Sequence, residues 1–555
     1  MTQAVLLHTI QDAEHYLESG LFENAQLFSA NIHVVFYLKH QHGRECHDLC
    51  SYITPQEVAQ VQEVSIRRNG RLLQELDQRL APEINRQLRL FICYFEPLYS
   101  FTGARQLVLS VLLELMLQRM MLSWNLDMLV AYEGRLGFLQ SSISEFLRQA
   151  FPDLHFIMLR YDFPKGGEKT TIHGGSLEQI SDFLMSGYNT FNEFQIRSIN
   201  QEVHYDRNIL VFGPMKQMHC IDQSNEKAIV HVFQPQPKEV KTLFDYRIAR
   251  ENLPKYSDLS TVGNEDKENQ QRLAFLYEVI SRHFCHHFIQ ELQVFSLYRK
   301  LHEDNMPFSQ VLWENPPYTG AGALLVEYFL KATSAEVCGI QSNVTALLGK
   351  IPAPYAPVSI YNRCNRFITN DRTLEGTVKL QKAKISHCKL PQITVMDKLR
   401  TKNKFLKKRT VVDIALYLTP TINFLKTGRI SFEVRCQVEL LHLLESLTDK
   451  SIHVITHTNA TQEICAVVSL LKNVQNIVWI KACSLKDYLT KYEPQVILSG
   501  ALCPEFELEE WIDDNCQVIV MGDRDSIPIY REEVQWQSMV IYANTVDEVK
   551  TLSGI

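Results

Sequence analysis

The 555-residue chain has no run of the roughly 18 uninterrupted apolar residues that a membrane-spanning helix needs. Its first residues, Met1-Thr2-Gln3-Ala4-Val5-Leu6-Leu7-His8, carry no basic leader, so no secretion signal is expected. Cationic excess is missing too. Lys and Arg number 56 against 63 Asp and Glu, a net charge of −7, and this balance gives no reason to expect a nucleic-acid partner. No short-period repeat or low-complexity tract is present. The 13 cysteines are scattered and odd in number, as in a reduced compartment, so a cytoplasmic protein is expected. The chain also lacks a Walker phosphate loop and a Gly-x-Ser-x-Gly nucleophile elbow.

What is present is an α/β rhythm in a chain too long for one core. It is clearest over residues 410–555. Apolar runs at 411–418, 452–455, 477–480, 495–498 and 517–521 alternate with amphipathic stretches such as Ser431–Leu447 and Ala460–Leu471. Strands alternating with helices predict a parallel sheet covered on both faces. Such sheets bind ligands at the carboxyl ends of their strands, so the loops after Leu418, Ile455, Leu498 and Met521 are candidate binding loops. The first part alternates similarly, with strands expected at Val5–Leu7, Ile32–Leu38, Leu88–Tyr94, Asp127–Tyr132 and His155–Arg160. The expected architecture is two Rossmann-like half-domains facing a cleft. Residues 1–374 would form the N-terminal half, with a less regular central insertion at about 165–310. Residues 375–409 would be a basic linker and 410–555 the C-terminal half.

Several turns carry chemistry. Tyr132-Glu133-Gly134-Arg135 lies between a strand and a helix, where Glu133 could act as general base on a hydroxyl and Arg135 could fork onto a phosphate or carboxylate. An ordinary capped turn with a surface ion pair fits the same residues. Arg160-Tyr161-Asp162-Phe163-Pro164-Lys165-Gly166-Gly167 offers Asp162 and backbone donors for an anion, or simply a loop. Gly320-Ala321-Gly322 opens a helix and Cys338-Gly339-Ile340-Gln341 closes a strand. Thr456-His457-Thr458-Asn459 follows a strand and precedes a helix, where His457 could donate to a phosphate and Asn459 or Thr458 could cap. Leu498-Ser499-Gly500 leads to an acidic stretch that includes Glu510, whose carboxylate could accept both hydroxyls of a ribose or be one of several solvated carboxylates.

In their order along the chain these turns resemble the GT-B-type glycosyltransferases of bacterial surface polysaccharide assembly. The similarity is greatest to the capsule and lipopolysaccharide group that includes transferases of Kdo and related acidic sugars. The resemblance implies a metal-independent glycosyltransferase with no bound cofactor. Its co-substrate would be a nucleotide sugar, with a CMP conjugate as one candidate, and its acceptor a surface glycan or lipid-linked saccharide. It implies Glu133 or Asp162 as catalytic base, and Arg135, Gln341, His457, Asn459, Ser499 and Glu510 around the donor. The chain departs from the family pattern at Ser342-Asn343, at Thr458 and at Asn515-x-Gln517. A catalytically eroded binding subunit with a protein partner therefore stays open, as does a nucleotide-sugar epimerase on the same plan.

Two further clusters have metal-capable side chains. His40, His42, Cys46, His47 and Cys50 lack a second cluster, and His283, Cys285, His286 and His287 share a predicted helix. Lys398, Arg400, Lys402, Lys404, Lys407, Lys408 and Arg409 form the one sharp basic run. It suggests peripheral contact with the inner face of a membrane, or a solvated linker.

Overall fold

The computed structural model describes residues 2–88, 90–132, 147, 151–159, 173–175, 207–212, 228–233, 246–304, 307–313, 317, 320–341, 360–369, 391–395, 409–418, 432–456, 476–500, 516–522 and 540–554. Their strands form three wholly parallel sheets and one two-stranded pair, in the α/β class that the sequence implied.

The first sheet contains β1 (Gln3–Leu6), β2 (Gln26–Ser29), β3 (Cys46–Asp48), β4 (Met128–Tyr132) and β5 (His155–Leu159), in the order β3-β2-β1-β4-β5. Helices α1 (Ile10–Ser19) and α2 (Ile32–His42) connect its first strands, and α3 (Pro55–Leu88) and α4 (Phe95–Trp124) follow β3. The pair is β6 (His173–Gly175) with β9 (Tyr246–Ile248). The second sheet contains β7 (Arg207–Phe212), β8 (Ala228–Val232), β10 (Gln310–Trp313), β11 (Glu336–Gln341), β12 (Arg366–Thr369) and β13 (Gln392–Val395), in the order β13-β12-β11-β10-β7-β8. Helices α5 (Lys267–Asp304) and α6 (Gly320–Ala332) belong to this part. Residues from the stretch read as central insertion thus join those read as half-domain and linker in a sheet of their own.

The third sheet is the one the sequence announced most clearly. It contains β14 (Thr410–Leu418), β15 (Ile452–Thr456), β16 (Ile477–Ile480), β17 (Tyr492–Ser499), β18 (Gln517–Met521) and β19 (Val540–Ala543). Helices α7 (Phe432–Glu445), α8 (Leu485–Leu489) and α9 (Val546–Ser553) accompany it. Its order, β16-β15-β14-β17-β18-β19, is the Rossmann order 3-2-1-4-5-6.

Two expected strands are corrected. Ile32–Leu38 is β-branched and aromatic, yet it forms α2. Asn31 caps it by accepting from the His33 N–H, and Gly43 ends it at φ +60°. Local capping outweighs strand propensity here. Leu88–Tyr94 holds the end of α3 and a connection into α4. The Tyr94, Phe95 and Glu96 N–H groups all donate to the buried Asp77 carboxylate on α3, at 2.7–2.8 Å. Backbone donors committed to a side chain cannot also form a strand ladder.

One large core lies between the first two sheets. It joins Leu6 and Phe28 to Leu210, Phe212, Val311 and Trp313 through α3, α4, α5 and α6. Among the described residues, α4 alone is long and apolar enough to cross a membrane, but 67% of its most apolar window is buried inside the fold. Its Glu114 is sealed by Arg272 of α5 at 2.8 Å, so the charge that enters this core is paired. The third sheet has its own core on each face, and α2 reaches one of them through Ile32, Val35 and Phe36.

Candidate functional site

A parallel sheet leaves a crevice where strand order reverses, outside the carboxyl ends of the two strands concerned. In the third sheet those strands are β14 and β17, paired with Leu416 opposite Leu498. The strands end at Leu418, Thr456, Ser499 and Met521, which sets the four expected loops along one edge. Ser499 and Leu498 are fully buried. Thr456, the residue before His457, accepts the Ala482 N–H on its Oγ1 at 3.2 Å and the Cys483 N–H on its carbonyl at 3.0 Å. At this edge the Thr456 hydroxyl and carbonyl are thus both engaged by the backbone that follows β16.

The first sheet reverses between β1 and β4, with Leu6 opposite Ala131. Here the crevice is built from buried polar residues. Asp12 is fully buried and accepts the His8 and Thr9 N–H groups at 3.1 and 2.9 Å, while Thr9 Oγ1 accepts the Asp12 N–H, a reciprocal cap on α1. Asn31 ties the two strand-to-helix turns together. Its amide donates to the His8 carbonyl at 3.1 Å, and its own N–H donates to Ser29 Oγ at 3.0 Å. His15 Nδ1 lies 3.5 Å from the Tyr132 hydroxyl. β4 ends at this edge with Tyr132, the residue before Glu133 in the sequence. The sequence reading missed the cluster of His8, Asp12, Asn31 and His33. Its signal was available: Thr9-x-x-Asp12 after a strand is a capping box, and Asn31 precedes a helix.

His33 sits in the same turn, 3% exposed. Burial pushes its imidazole down to about 4. In the unfolded chain histidine titrates near 6.5. Between these values the unfolded chain holds more protons, so stability falls as pH falls from about 6.5 to 4, by up to about 3 kcal/mol. Urea midpoints measured across that range should show the loss in wild type, and a visibly flatter profile in His33→Gln.

Of the sequence-derived site residues, Ser499 closes β17 of the third sheet and Gln341 closes β11 of the second. The two stand on different sheets, so only Ser499 shares an edge with the turn that follows Thr456. Glu133, Arg135, Asp162, His457, Asn459 and Glu510 lie outside the described residues. The helix opened by Gly320-Ala321-Gly322 holds an internal anion rather than an open phosphate cradle. Glu291 of α5 accepts the Ala321 N–H at 2.6 Å, and Gly320, at φ +72°, is the residue whose added Cβ would meet that carboxylate at 2.7 Å. Burial raises the Glu291 carboxyl above the ordinary range.

The metal-capable runs do not converge. Cys50 points at the Ala30 carbonyl, His47 at the Gln26 side chain, and His283 meets the Tyr99 hydroxyl at 3.0 Å. Among the described residues one trio, Asp77, Cys93 and Glu96, brings ligand atoms together. Asp77 is committed there to three backbone donors, and burial pushes the Cys93 thiol up to about 12, which disfavours the thiolate that a metal needs. Of the basic run, Arg409 is buried and turned inward to the Leu489 carbonyl and to Glu493 at 3.6 Å, so it adds no charge to a surface patch. Residues 396–408 lie outside the described set.

No family model matches the chain, and no curated protein sequence does. Solved structures to which the chain shows some similarity include a pneumococcal O-GlcNAc transferase, GtfA, in complex with UDP and GlcNAc. It is 14% identical at a TM-score of 0.30, over 48% of this chain and 52% of that one. The chain therefore spans about half the length of that transferase. A Methanocaldococcus jannaschii UDP-GlcNAc 2-epimerase in complex with UDP-GlcNAc and UDP is 14% identical at a TM-score of 0.35, over 63% and 91%. The E. coli heptosyltransferase WaaC with ADP is 14% identical at a TM-score of 0.25, over 62% and 98%.

Proposed function

We propose that this chain is a glycosyltransferase that uses a nucleotide sugar, with the donor at the carboxyl edge of the third sheet and the acceptor at that of the first. The observation that carries this reading is the 3-2-1-4-5-6 order of the third sheet, with its reversal between β14 and β17 next to Ser499. The helix that the sequence leads one to expect over Ala460–Leu471 would turn its N-terminus to the donor phosphates, with His457 and Asn459 beside them. Glu510 would accept the ribose hydroxyls, and Arg135 would complete the donor contacts, whereas Gln341 closes a strand of the second sheet, away from this edge. Glu133 at the end of β4, or Asp162 after β5, would take the proton from the attacking hydroxyl. A leaving nucleotide held by helix N-termini and histidine needs no metal to neutralise its charge.

The finer reading follows the sequence resemblance. The donor would be an activated acidic sugar such as a CMP conjugate. The acceptor would be a growing capsule or lipopolysaccharide glycan or a lipid-linked saccharide. The enzyme would work in the cytoplasm, resting on the inner membrane face through Lys398–Lys408, without the inward-turned Arg409.

The test is turnover of nucleotide-sugar conjugates with and without acceptor saccharides. The expected result is nucleotide release that depends on acceptor. Conversion of the conjugate with no acceptor present would replace this reading with an epimerase. No turnover, together with a stable protein complex, would replace it with a binding subunit.

A further inference from the structure

The second sheet's long helix carries a basic pocket that neither crevice uses. It lies where β9 and the turn Arg250–Asn252 pack on the middle of α5, and it measures about 280 Å³. Arg247, Arg250, Glu278, Arg282, Cys285 and His286 line it. Three guanidiniums face a single carboxylate. Glu278 is claimed by Arg250, which grips both of its oxygens. Arg282 reaches the same carboxylate only at 3.7 Å. Arg247, half-buried on β9, makes no ion pair among the described residues. Among the described residues, cationic charge thus exceeds its internal compensation in a concave place where Arg250 and Arg282 stay open to solvent. His286 reports the same field: burial, then Arg247, His287 and Arg282, lower its imidazole.

We infer that this pocket binds the phosphoryl group of a small free anion, held by Arg247 and Arg282 with Arg250 as a third donor released from or shared with Glu278. Guanidinium forks match phosphate oxygens in pairs. The volume is at the lower limit of ligand pockets, which suits a phosphate, a pyrophosphate or a small phosphomonoester rather than a whole nucleotide sugar. The inference stands apart from the transferase reading, because no residue of either crevice contributes to it.

The test is calorimetric titration of the full chain with inorganic pyrophosphate. Wild type, Arg247→Gln/Arg282→Gln and Glu278→Gln are compared. The double variant should lose one binding component by about tenfold or more. Glu278→Gln should tighten that same component, because removing the carboxylate frees Arg250. A pyrophosphate site elsewhere in the chain would survive both changes, so the pocket is defined by the component that moves. The opposite signs of the two variants also separate the effect from damage to the fold, which can only weaken binding. Superimposable isotherms, no saturable component, or weakening in Glu278→Gln would overturn the inference. Binding to phosphatidate-containing vesicles with none to pyrophosphate would overturn the free-anion source.

Discussion

Glu133→Ala is expected to reduce acceptor-dependent sugar transfer by about 10²–10⁴-fold, the usual worth of a positioned general base. The expectation rests on where β4 ends. Tyr132 is fully buried, one register step past the Leu6–Ala131 pair, beside the His8 turn and within reach of His15. The carboxylate that follows Tyr132 in the sequence would then act at the carboxyl edge of the first sheet. Asp12 is spent on the α1 cap, and Asn31 on the two turns. His33, in the same turn, is held neutral by burial. The nucleotide affinity of the variant should be unchanged, because the donor edge belongs to another sheet. Full activity in Glu133→Ala, with loss in Asp162→Asn, would move the base to Asp162. Full activity in both would remove catalysis from this edge altogether.

Asp77→Ala is expected to cost about 3 kcal/mol of stability, seen as a lower denaturant midpoint for the part built on the first two sheets. Tyr94 begins α4 without a side-chain cap of its own. Asp77, on the preceding helix and 5% exposed, supplies the cap from outside by accepting three successive N–H groups. Alanine leaves all three donors buried without an acceptor, at roughly 1 kcal/mol each. The penalty falls on the helix at the centre of the shared core, where Leu112, Leu113, Met116 and Leu117 are fully buried. Asp77→Asn keeps one acceptor oxygen and should lose less than half as much. Equal midpoints for wild type and Asp77→Ala would mean that α4 is held by its apolar packing alone.

The third sheet was legible in the sequence because strands of a parallel sheet are mostly buried on both faces and read as near-continuous apolar runs. Val411–Leu418, Ile452–Ile455 and Gln517–Met521 are such runs, and each is a strand in the fold. Ile32–Leu38 misled because its composition favours a strand while its caps, Asn31 and Gly43, favour a helix, and the caps are single residues outside the run. The partition of residues 207–395 was not legible. The pairing of β7 with β10 joins positions a hundred residues apart, and nothing local encodes it. The buried cluster at the end of β1 escaped because its members, from His8 to His33, are spread over two turns that only the β1–β2 pairing brings together.

The most direct test of the central claim is thermal stabilisation by CMP, UDP, GDP and their sugar conjugates. A ligand that binds only the folded state raises its apparent stability in proportion to its affinity and concentration. The account predicts a shift with one nucleotide and its conjugates, reduced in His457→Ala and in Glu510→Ala but retained in Glu133→Ala. No shift with any nucleotide, or a shift that those two substitutions leave untouched, would contradict the assignment of the donor to the carboxyl edge of the third sheet.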